Sequence, residues 1–298
     1  MKLGGIFAPI TTPFTADGER LALDKLKGNF EVYNRTGLAG YVVCGSTGEA
    51  NFLTWEETER LFAAVPEHTA KGKLLVAGTG VDSLAETILR SKRAAELGYH
   101  AVLVRTPHYY KPFMTPAALL DYYRRVADAS PAPVLVYSIP QFTGVDVSAD
   151  LAAKLARHPN ILGIKESSGR LAVVSEIISA APAAFQTLVG SASIIEPSLK
   201  LGATGAILGL ACILPDLCAQ IYEAAHKGDT KKAEALQVTL EPIGRKCVSE
   251  TGPAGVKYAM DCVGMFGGAT RSPLLPLDEK QKQGIQAALA TVQTAAAR

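Results

Sequence analysis

The chain has 298 residues, of which 48% are hydrophobic and 19% are charged, and its formal net charge is +2. This composition is typical of a globular protein with a large core, and it argues against a disordered chain or a basic nucleic-acid-binding surface. The five cysteines form no C-x-x-C pair and the histidines show no metal-ligand spacing, so we expect reduced thiols and no metal site. We find no signal-peptide or membrane-spanning pattern, which predicts a cytoplasmic protein.

Eight short apolar segments, rich in β-branched residues, alternate with segments that have helical patterns. Such runs are typical of the buried strands of a parallel sheet covered by helices. The predicted strands are Gly5–Ile10, Gly40–Cys44, Lys73–Ala77, Ala101–Val104, Val134–Tyr137, Ile161–Ile164, Thr187–Val189 and Gly205–Leu208. Eight β–α units favour a (β/α)₈ barrel, the TIM barrel, over an open doubly wound sheet.

Helix start signals lie between these strands. Thr54 and Ser83 each precede a glutamate by three residues, as in a capping box. After about residue 225 the strand patterns stop, and three more helices are predicted: Asp229–Val248, Pro253–Gly264 and Asp278–Ala297. We therefore expect an α/β barrel over residues 1–225 and a C-terminal helical region, a three-helix appendage, over residues 226–298.

In a TIM barrel, functional side chains lie at the carboxyl ends of the strands. The candidates share this position: Ser46 and Thr47 after strand 2, Tyr109 after strand 4, Tyr137 at the end of strand 5 and Lys165 at the end of strand 6. They predict a pocket with hydroxyl groups, one lysine and glycine-rich backbone. Each also has a structural interpretation, because Gly-Ser-Thr-Gly can be a simple turn and tyrosines are common in cores and interfaces.

Lys165 is the most informative candidate, since it follows the apolar run Ile161–Ile164 and precedes a Ser-Ser-Gly loop. Burial disfavours the charged form of an amine, and a neutral amine at a pocket can attack a carbonyl carbon to form a Schiff base. The alternatives are an ion pair with a carboxylate, such as that of Glu166, or an amine that extends to solvent.

Three motifs then carry a family resemblance: Gly45-x-x-Gly-Glu49, Tyr137-x-x-Pro140 and Lys165-Glu-x-Ser-Gly169. In this order and spacing they resemble the dihydrodipicolinate synthase / N-acetylneuraminate lyase family of class I aldolases. The resemblance covers nearly the whole chain, up to the segments 255–259 and 271–276. It implies a TIM-barrel lyase that binds pyruvate and an aldehyde, uses no cofactor or metal, and forms a homotetramer of two dimers. Composition and charge predict no nucleic-acid or membrane partner.

The resemblance also implies residue roles. Lys165 would form the Schiff base with the keto carbon of pyruvate, and Tyr137 would be the general acid and base. Thr47 would relay protons to Tyr137, and Tyr109 would complete the relay from a neighbouring subunit. The expected substrate-binding residues are Ser46 and the Thr47 backbone, which would hold the pyruvate carboxylate, together with Ser167, Gly190 and Ile207.

Phe142 departs from the synthase pattern, in which an arginine binds the carboxylate of the incoming aldehyde. The pair Tyr137-Ser138 and the segment His108–Lys111 are closer to 4-hydroxy-2-oxoglutarate aldolases, so the sequence favours cleavage of 4-hydroxy-2-oxoglutarate to pyruvate and an aldehyde.

The main alternative is the synthase reaction of lysine biosynthesis, in which pyruvate condenses with aspartate semialdehyde and Arg105 or Lys111 replaces the missing arginine. Less favoured are a sugar-acid lyase or dehydratase, with Gln141 and Phe142 facing a polyol, and a catalytically silent barrel that binds a 2-oxo acid.

Overall fold

The computed structural model describes residues 1–296, in which eight parallel strands close into a barrel in sequence order. The strands are β1 (Gly5–Pro9), β2 (Gly40–Val43), β3 (Leu74–Gly78), β4 (Ala101–Arg105), β5 (Val134–Ser138), β6 (Ile161–Glu166), β7 (Gln186–Val189) and β8 (Gly205–Ile207). Every predicted strand is present, and the structure confirms the TIM barrel.

Helices connect successive strands and cover the outside of the barrel. They are α1 (Leu26–Tyr33), α2 (Trp55–His68), α3 (Leu84–Glu96), α4 (Pro116–Ala129), α5 (Pro140–Thr143), α6 (Ala149–Leu155), α7 (Leu171–Ala180), α8 (Ile195–Lys200) and α9 (Pro215–His226). Thr54 forms the complete predicted capping box with Glu57. Ser83 accepts from the Glu86 N–H, but the Glu86 carboxylate accepts from Arg90 Nε at 2.9 Å, so only the hydroxyl half of that box is formed.

The three predicted C-terminal helices are present as α10 (Thr230–Gly244), α11 (Gly252–Cys262) and α12 (Glu279–Ala296), while the predicted end at Ala297 lies outside the described residues. The first of these helices is predicted over Asp229–Val248. In the structure its α-helical part ends at Gly244, and a π-helical turn follows at Arg245–Ser249. Within residues 1–296, no helix is both long and apolar enough to cross a membrane. The boundary near residue 225 stays a prediction.

Two apolar cores follow from the alternation of side chains along each strand. Phe7 and Val42 point into the barrel, where they pack with Leu135, Leu188 and Ile207. Their strand neighbours, such as Ile6, Ala8, Tyr41 and Val43, point outwards and pack under the helices. The inner core closes the barrel below the carboxyl ends of the strands, so a ligand can enter only above it.

Candidate active site

A cavity of about 290 Å³ opens at the carboxyl ends of the strands. Nine of the predicted site residues line it: Ser46, Thr47, Tyr137, Gln141, Phe142, Lys165, Ser167, Gly190 and Ile207. They come from the ends of β5, β6 and β8, from the loops after β2, β6 and β7, and from the short helix α5. The barrel therefore brings together residues that are up to 161 positions apart, as the sequence prediction required.

Tyr137 and Lys165 are paired directly across β5 and β6, so both side chains point to the same side of the sheet. This alignment depends on a register shift, because Val134 pairs with Ile161 whereas Leu135 pairs with Gly163. The shift leaves Leu162 unpaired with β5 and moves each later residue of β6 by one position. As a result, Lys165 Nζ lies 4.1 Å from the centroid of the Tyr137 ring.

The Lys165 side chain is buried and only 4% of the residue is exposed, so it does not extend to solvent. Glu166 points to the opposite face of β6, where its Oε1 accepts from the Ser168 N–H at 2.9 Å. Its other carboxylate oxygen is buried without a hydrogen-bond partner, and burial raises the pKa of the Glu166 carboxyl. Within residues 1–296 no carboxylate forms an ion pair with Lys165, which removes the ion-pair alternative.

Ser46 Oγ and the Tyr137 hydroxyl are 3.1 Å apart and share a hydrogen bond. This contact joins the turn after β2 to the end of β5 on the side of the cavity that faces Lys165. Thr47 lines the same cavity, but the described residues show no hydrogen bond between Thr47 and Tyr137. The relay role of Thr47 therefore stays a prediction, and Ser46 is the direct hydroxyl partner of Tyr137.

Gly190 lies where β7 passes closest to the reactive side chains. A Cβ atom at this position would overlap Ser167 Oγ and would lie 3.2 Å from Lys165 Cε, so any larger residue would displace both. Ser167 Oγ is buried and has no hydrogen-bond partner in the described chain. Gln141 Nε2 donates to the Ser167 carbonyl at 2.8 Å and so ties the loop after β5 to the loop after β6.

The C-terminal region contributes residues that the sequence analysis missed. Its contribution to the cavity wall comes from the end of α10, the π-helical turn and the start of α11: Gly244, Val248, Ser249, Gly252, Pro253 and Val256. No site residue predicted from the sequence lies beyond Ile207. A π-helical turn is often found at functional sites, but the sequence pattern of a continuous helix did not reveal it.

A family model described as the dihydrodipicolinate synthetase family matches residues 2–292. The chain belongs to this family. The 4-hydroxy-tetrahydrodipicolinate synthase of Methanothrix thermoacetophila is 37% identical over 279 residues, which are 93% of each chain. The enzyme of the same name from Methanospirillum hungatei is 36% identical over 281 residues, or 94% of each chain. The comparisons confirm the resemblance that the three motifs indicated.

Solved structures of the family have the same fold. The dihydrodipicolinate synthase of Aquifex aeolicus superposes with a TM-score of 0.92 at 29% identity and 98% coverage of both chains. A chloride-inhibited dihydrodipicolinate synthase of Acinetobacter baumannii, solved with pyruvate, gives a TM-score of 0.92 at 31% identity. That match covers 97% of this chain and 98% of the other.

Phe142, which the sequence prediction places where synthases have an arginine, lies at the cavity mouth with 63% of the residue exposed. Neither proposed substitute cation lines the cavity in the described chain. Arg105 Nη1 lies 2.5 Å from His108 Nδ1 and Nη2 lies 3.7 Å from Asp82 Oδ2. Lys111 lies against Gly144. Lys165 is thus the single cationic side chain that the structure places on the cavity wall.

Tyr109 is the one predicted site residue that lies outside the cavity. It is 77% exposed and packs edge-on against Tyr110, with ring centroids 5.0 Å apart. A second cavity of about 240 Å³ adjoins the first and shares Ser46, Ile139, Phe142 and Pro253 with it. Its walls are mainly apolar, and Arg105 and His108 also line it. Tyr109 of the same chain contributes to neither cavity wall.

Proposed function

We propose that this chain is a lyase in which Lys165 forms a Schiff base with the keto carbon of pyruvate. The enzyme then makes or breaks a C–C bond between pyruvate and an aldehyde. One observation carries the proposal: a buried lysine amine, free of carboxylate partners in the described chain, lies over the Tyr137 ring in a cavity lined by hydroxyl groups. An amine without a counter-ion in a buried site can act as a nucleophile towards a carbonyl carbon.

The chemistry follows from this arrangement. The Lys165 amine adds to the keto carbon and gives a carbinolamine, which loses its hydroxyl group as water when the Tyr137 hydroxyl supplies a proton. The product is an iminium ion. Loss of a proton from the methyl carbon gives an enamine, whose terminal carbon bonds to the aldehyde carbon, and cleavage is the reverse of this step. Because the iminium accepts the electron pair, the proposed reaction needs no metal or organic cofactor.

The carboxylate of pyruvate would bind at the turn after β2. Ser46 Oγ and the Thr47 backbone N–H can donate hydrogen bonds to a carboxylate, and backbone N–H groups in a turn are suited to small anions. Ser167 and Gly190 would bound the other side of the pyruvate pocket, with Ile207 below it. The pyruvate complex of the Acinetobacter baumannii relative supports a pocket for this ligand in the family.

A neighbouring subunit would supply Tyr109 to the relay. Two observations support this arrangement: the side chain of Tyr109 is exposed, and an apolar cavity lies beside Ser46. A tyrosine ring from a second copy could enter that cavity and reach the Ser46 hydroxyl group. A homotetramer of two dimers would provide such pairs.

For the aldehyde, the names of the relatives favour the synthase reaction, in which pyruvate condenses with aspartate semialdehyde. The motifs of the chain favour cleavage of 4-hydroxy-2-oxoglutarate, whereas the relatives favour the synthase reaction, and we place the synthase reaction first. Cleavage of 4-hydroxy-2-oxoglutarate remains the second candidate, because Phe142 cannot bind the carboxylate of aspartate semialdehyde as the synthase arginine does.

Reductive trapping tests the Schiff base. Pyruvate and borohydride should modify the wild-type chain, and peptide mapping should place the new secondary amine on Lys165. An unmodified Lys165 would contradict both candidate reactions at once.

Two assays then separate the candidates. Condensation is followed with pyruvate and aspartate semialdehyde, and cleavage is followed by pyruvate release from 4-hydroxy-2-oxoglutarate in an assay coupled to lactate dehydrogenase. We expect the ratio of kcat/KM values to favour condensation. A ratio that favours cleavage would replace the synthase proposal. Phe142→Arg, with Phe142→Ala as its matched control, should shift the ratio further towards aspartate semialdehyde.

A further inference from the structure

The turn Cys44–Glu49, which we call the carboxylate turn, has an unusual backbone. Among residues 1–296, Cys44 and Glu49 are the non-glycine residues with positive φ, at 56° and 55°. They bracket Ser46 and Thr47, the residues that we propose to hold the pyruvate carboxylate. Side-chain-bearing residues adopt this region at a cost, so the conformation persists only where the surroundings hold it.

The first end of the carboxylate turn is held by close backbone packing. The Cys44 carbonyl lies so near Gly78 that a Cβ atom there would overlap it. Within the turn, the Gly48 N–H donates to the Gly45 carbonyl at 3.1 Å, and Thr12 Oγ1 donates to the Gly48 carbonyl at 2.6 Å. The Glu49 N–H also donates to the Ser46 carbonyl at 3.1 Å. These contacts hold the backbone of the turn, and the position of the Glu49 side chain depends on contacts from elsewhere.

The second end is held by charges from the C-terminal region. The Glu49 side chain is fully buried, and its Oε1 lies 2.6 Å from Lys257 Nζ of α11, which is 1% exposed. Glu49 Oε2 accepts from the Arg271 backbone N–H at 2.8 Å. Lys257 Nζ also donates to the Ala269 carbonyl at 2.6 Å. We call Glu49, Lys257 and Arg271 the Glu49 network.

Aromatic contacts complete the Glu49 network. Lys257 Nζ lies 4.4 Å and Arg271 Cζ lies 4.3 Å from the centroid of the Phe14 ring. The Arg271 guanidinium forms two hydrogen bonds to the Glu57 carboxylate, at 2.5 and 2.8 Å. Each charge therefore has defined partners, and the network can hold Glu49 in one geometry.

Stability alone is a weak reason for this network, because apolar side chains of similar volume often replace a buried ion pair without loss. Its position suggests another reason. Lys257 directly follows Val256, which lines the active-site cavity, and its partner Glu49 ends the turn that carries Ser46 and Thr47. The ion pair therefore connects the α11 side of the cavity wall to the carboxylate turn through side chains that lie outside the cavity.

We propose that Lys257 is a positioning residue, whose ion pair with Glu49 holds the carboxylate turn so that Ser46 and Thr47 face the carboxylate of the 2-oxo acid. The inference rests on the proposed function, since it requires that this turn binds the substrate carboxylate. Lys257 itself does not line the cavity. Its effect on binding must therefore pass through Glu49 and the turn.

The inference is tested by reductive trapping with cyanoborohydride. The extent of Lys165 labelling is measured at increasing concentrations of each of two ligands. Pyruvate carries the carboxylate, whereas methyl pyruvate has the same keto group without it. In Lys257→Met, the half-saturating concentration of pyruvate should rise roughly tenfold, as expected for one weakened charge-assisted hydrogen bond. The value for methyl pyruvate should not change. General damage to the fold would alter trapping by both ligands.

Lys200→Met is the control for the loss of a lysine–glutamate ion pair outside the cavity wall. The half-exposed Lys200 Nζ lies 2.6 Å from Glu196 Oε1 and 2.9 Å from Glu234 Oε1. Lys200→Met should leave both values unchanged. If Lys257→Met does not fold, Glu49→Gln/Lys257→Met, which removes both charges, should show the same selective loss.

The outcomes separate the two proposals. A wild-type chain that is trapped equally well by pyruvate and methyl pyruvate would contradict the proposed carboxylate site. A wild-type preference for pyruvate that is fully retained in Lys257→Met, or in the double variant, would overturn the positioning role and leave the proposed function intact.

Discussion

Two lysines of the described chain, Lys165 and Lys257, are buried in different surroundings. The difference separates the amine that we propose to be the nucleophile from an amine held in an ion pair. Lys257 is 1% exposed and has a carboxylate and a backbone carbonyl as partners. Lys165 is 4% exposed and faces the Tyr137 ring and a cavity. Burial lowers the pKa of Lys257, and the Glu49 carboxylate opposes that shift. Burial is thus common to both lysines, and their partners determine what each can do.

The largest expected effect is that of Lys165→Ala, which should abolish turnover because no other described amine lines the cavity. Circular dichroism should show an intact fold, and reductive trapping with pyruvate should fail. In Lys257→Met, by contrast, saturating pyruvate should still label Lys165. Labelling of Lys257 in either chain would reverse the roles of the two lysines.

Tyr137→Phe should lower kcat by roughly 10²–10⁴, the usual contribution of a positioned general acid or base. The ring that packs against Lys165 is retained, so only the hydroxyl group that contacts Ser46 is removed. Steady-state kinetics measures the change. A kcat near that of the wild type would exclude Tyr137 from the proton transfer.

Glu49→Gln and Lys257→Met should each destabilise the fold by about 3–5 kcal/mol, because each leaves one buried charge without its partner. The free energy of unfolding should fall less in the double variant Glu49→Gln/Lys257→Met than in either single variant. Chemical denaturation gives the free energies of unfolding. Additive losses would show that the two side chains do not act as a pair. Lys165→Met should cause no comparable loss, since Lys165 has no carboxylate partner in the described chain.

The smallest effect concerns Glu166, the sequence neighbour of Lys165. Burial raises the pKa of this carboxyl above its ordinary value of 4.5. Below pH 4.5 the Glu166 carboxyl is protonated in both the folded and the unfolded protein. As the pH rises through the raised folded-state pKa, the free energy of unfolding of the wild-type protein falls.

Glu166→Gln cannot ionise, so its stability relative to the wild type should increase from acidic to neutral pH. Denaturation at several pH values measures this difference. An ion pair between Glu166 and Lys165 would give the opposite sign, because pairing would lower the pKa of the carboxyl.

Most of the fold and of the cavity could be predicted from local patterns. The runs that became β1–β8 are apolar because both faces of each strand are buried, and that property is visible in the sequence. The carboxyl ends of parallel strands meet at one rim, so Ser46, Tyr137 and Lys165 could be assigned to one cavity. The cavity wall from α11 could not, since no local pattern indicates where a C-terminal helix packs.

By itself, the sequence determined the eight strands, the TIM barrel and the set of hydroxyl and amine groups at its rim. The tertiary structure decided three further points. A one-residue shift at Leu162 places Lys165 opposite Tyr137, the Glu49 network joins residues more than 200 positions apart, and Tyr109 lies outside the cavity of its own chain. Strand register and distant ion pairs depend on how the whole chain packs, whereas strand formation and side-chain alternation depend on neighbouring residues.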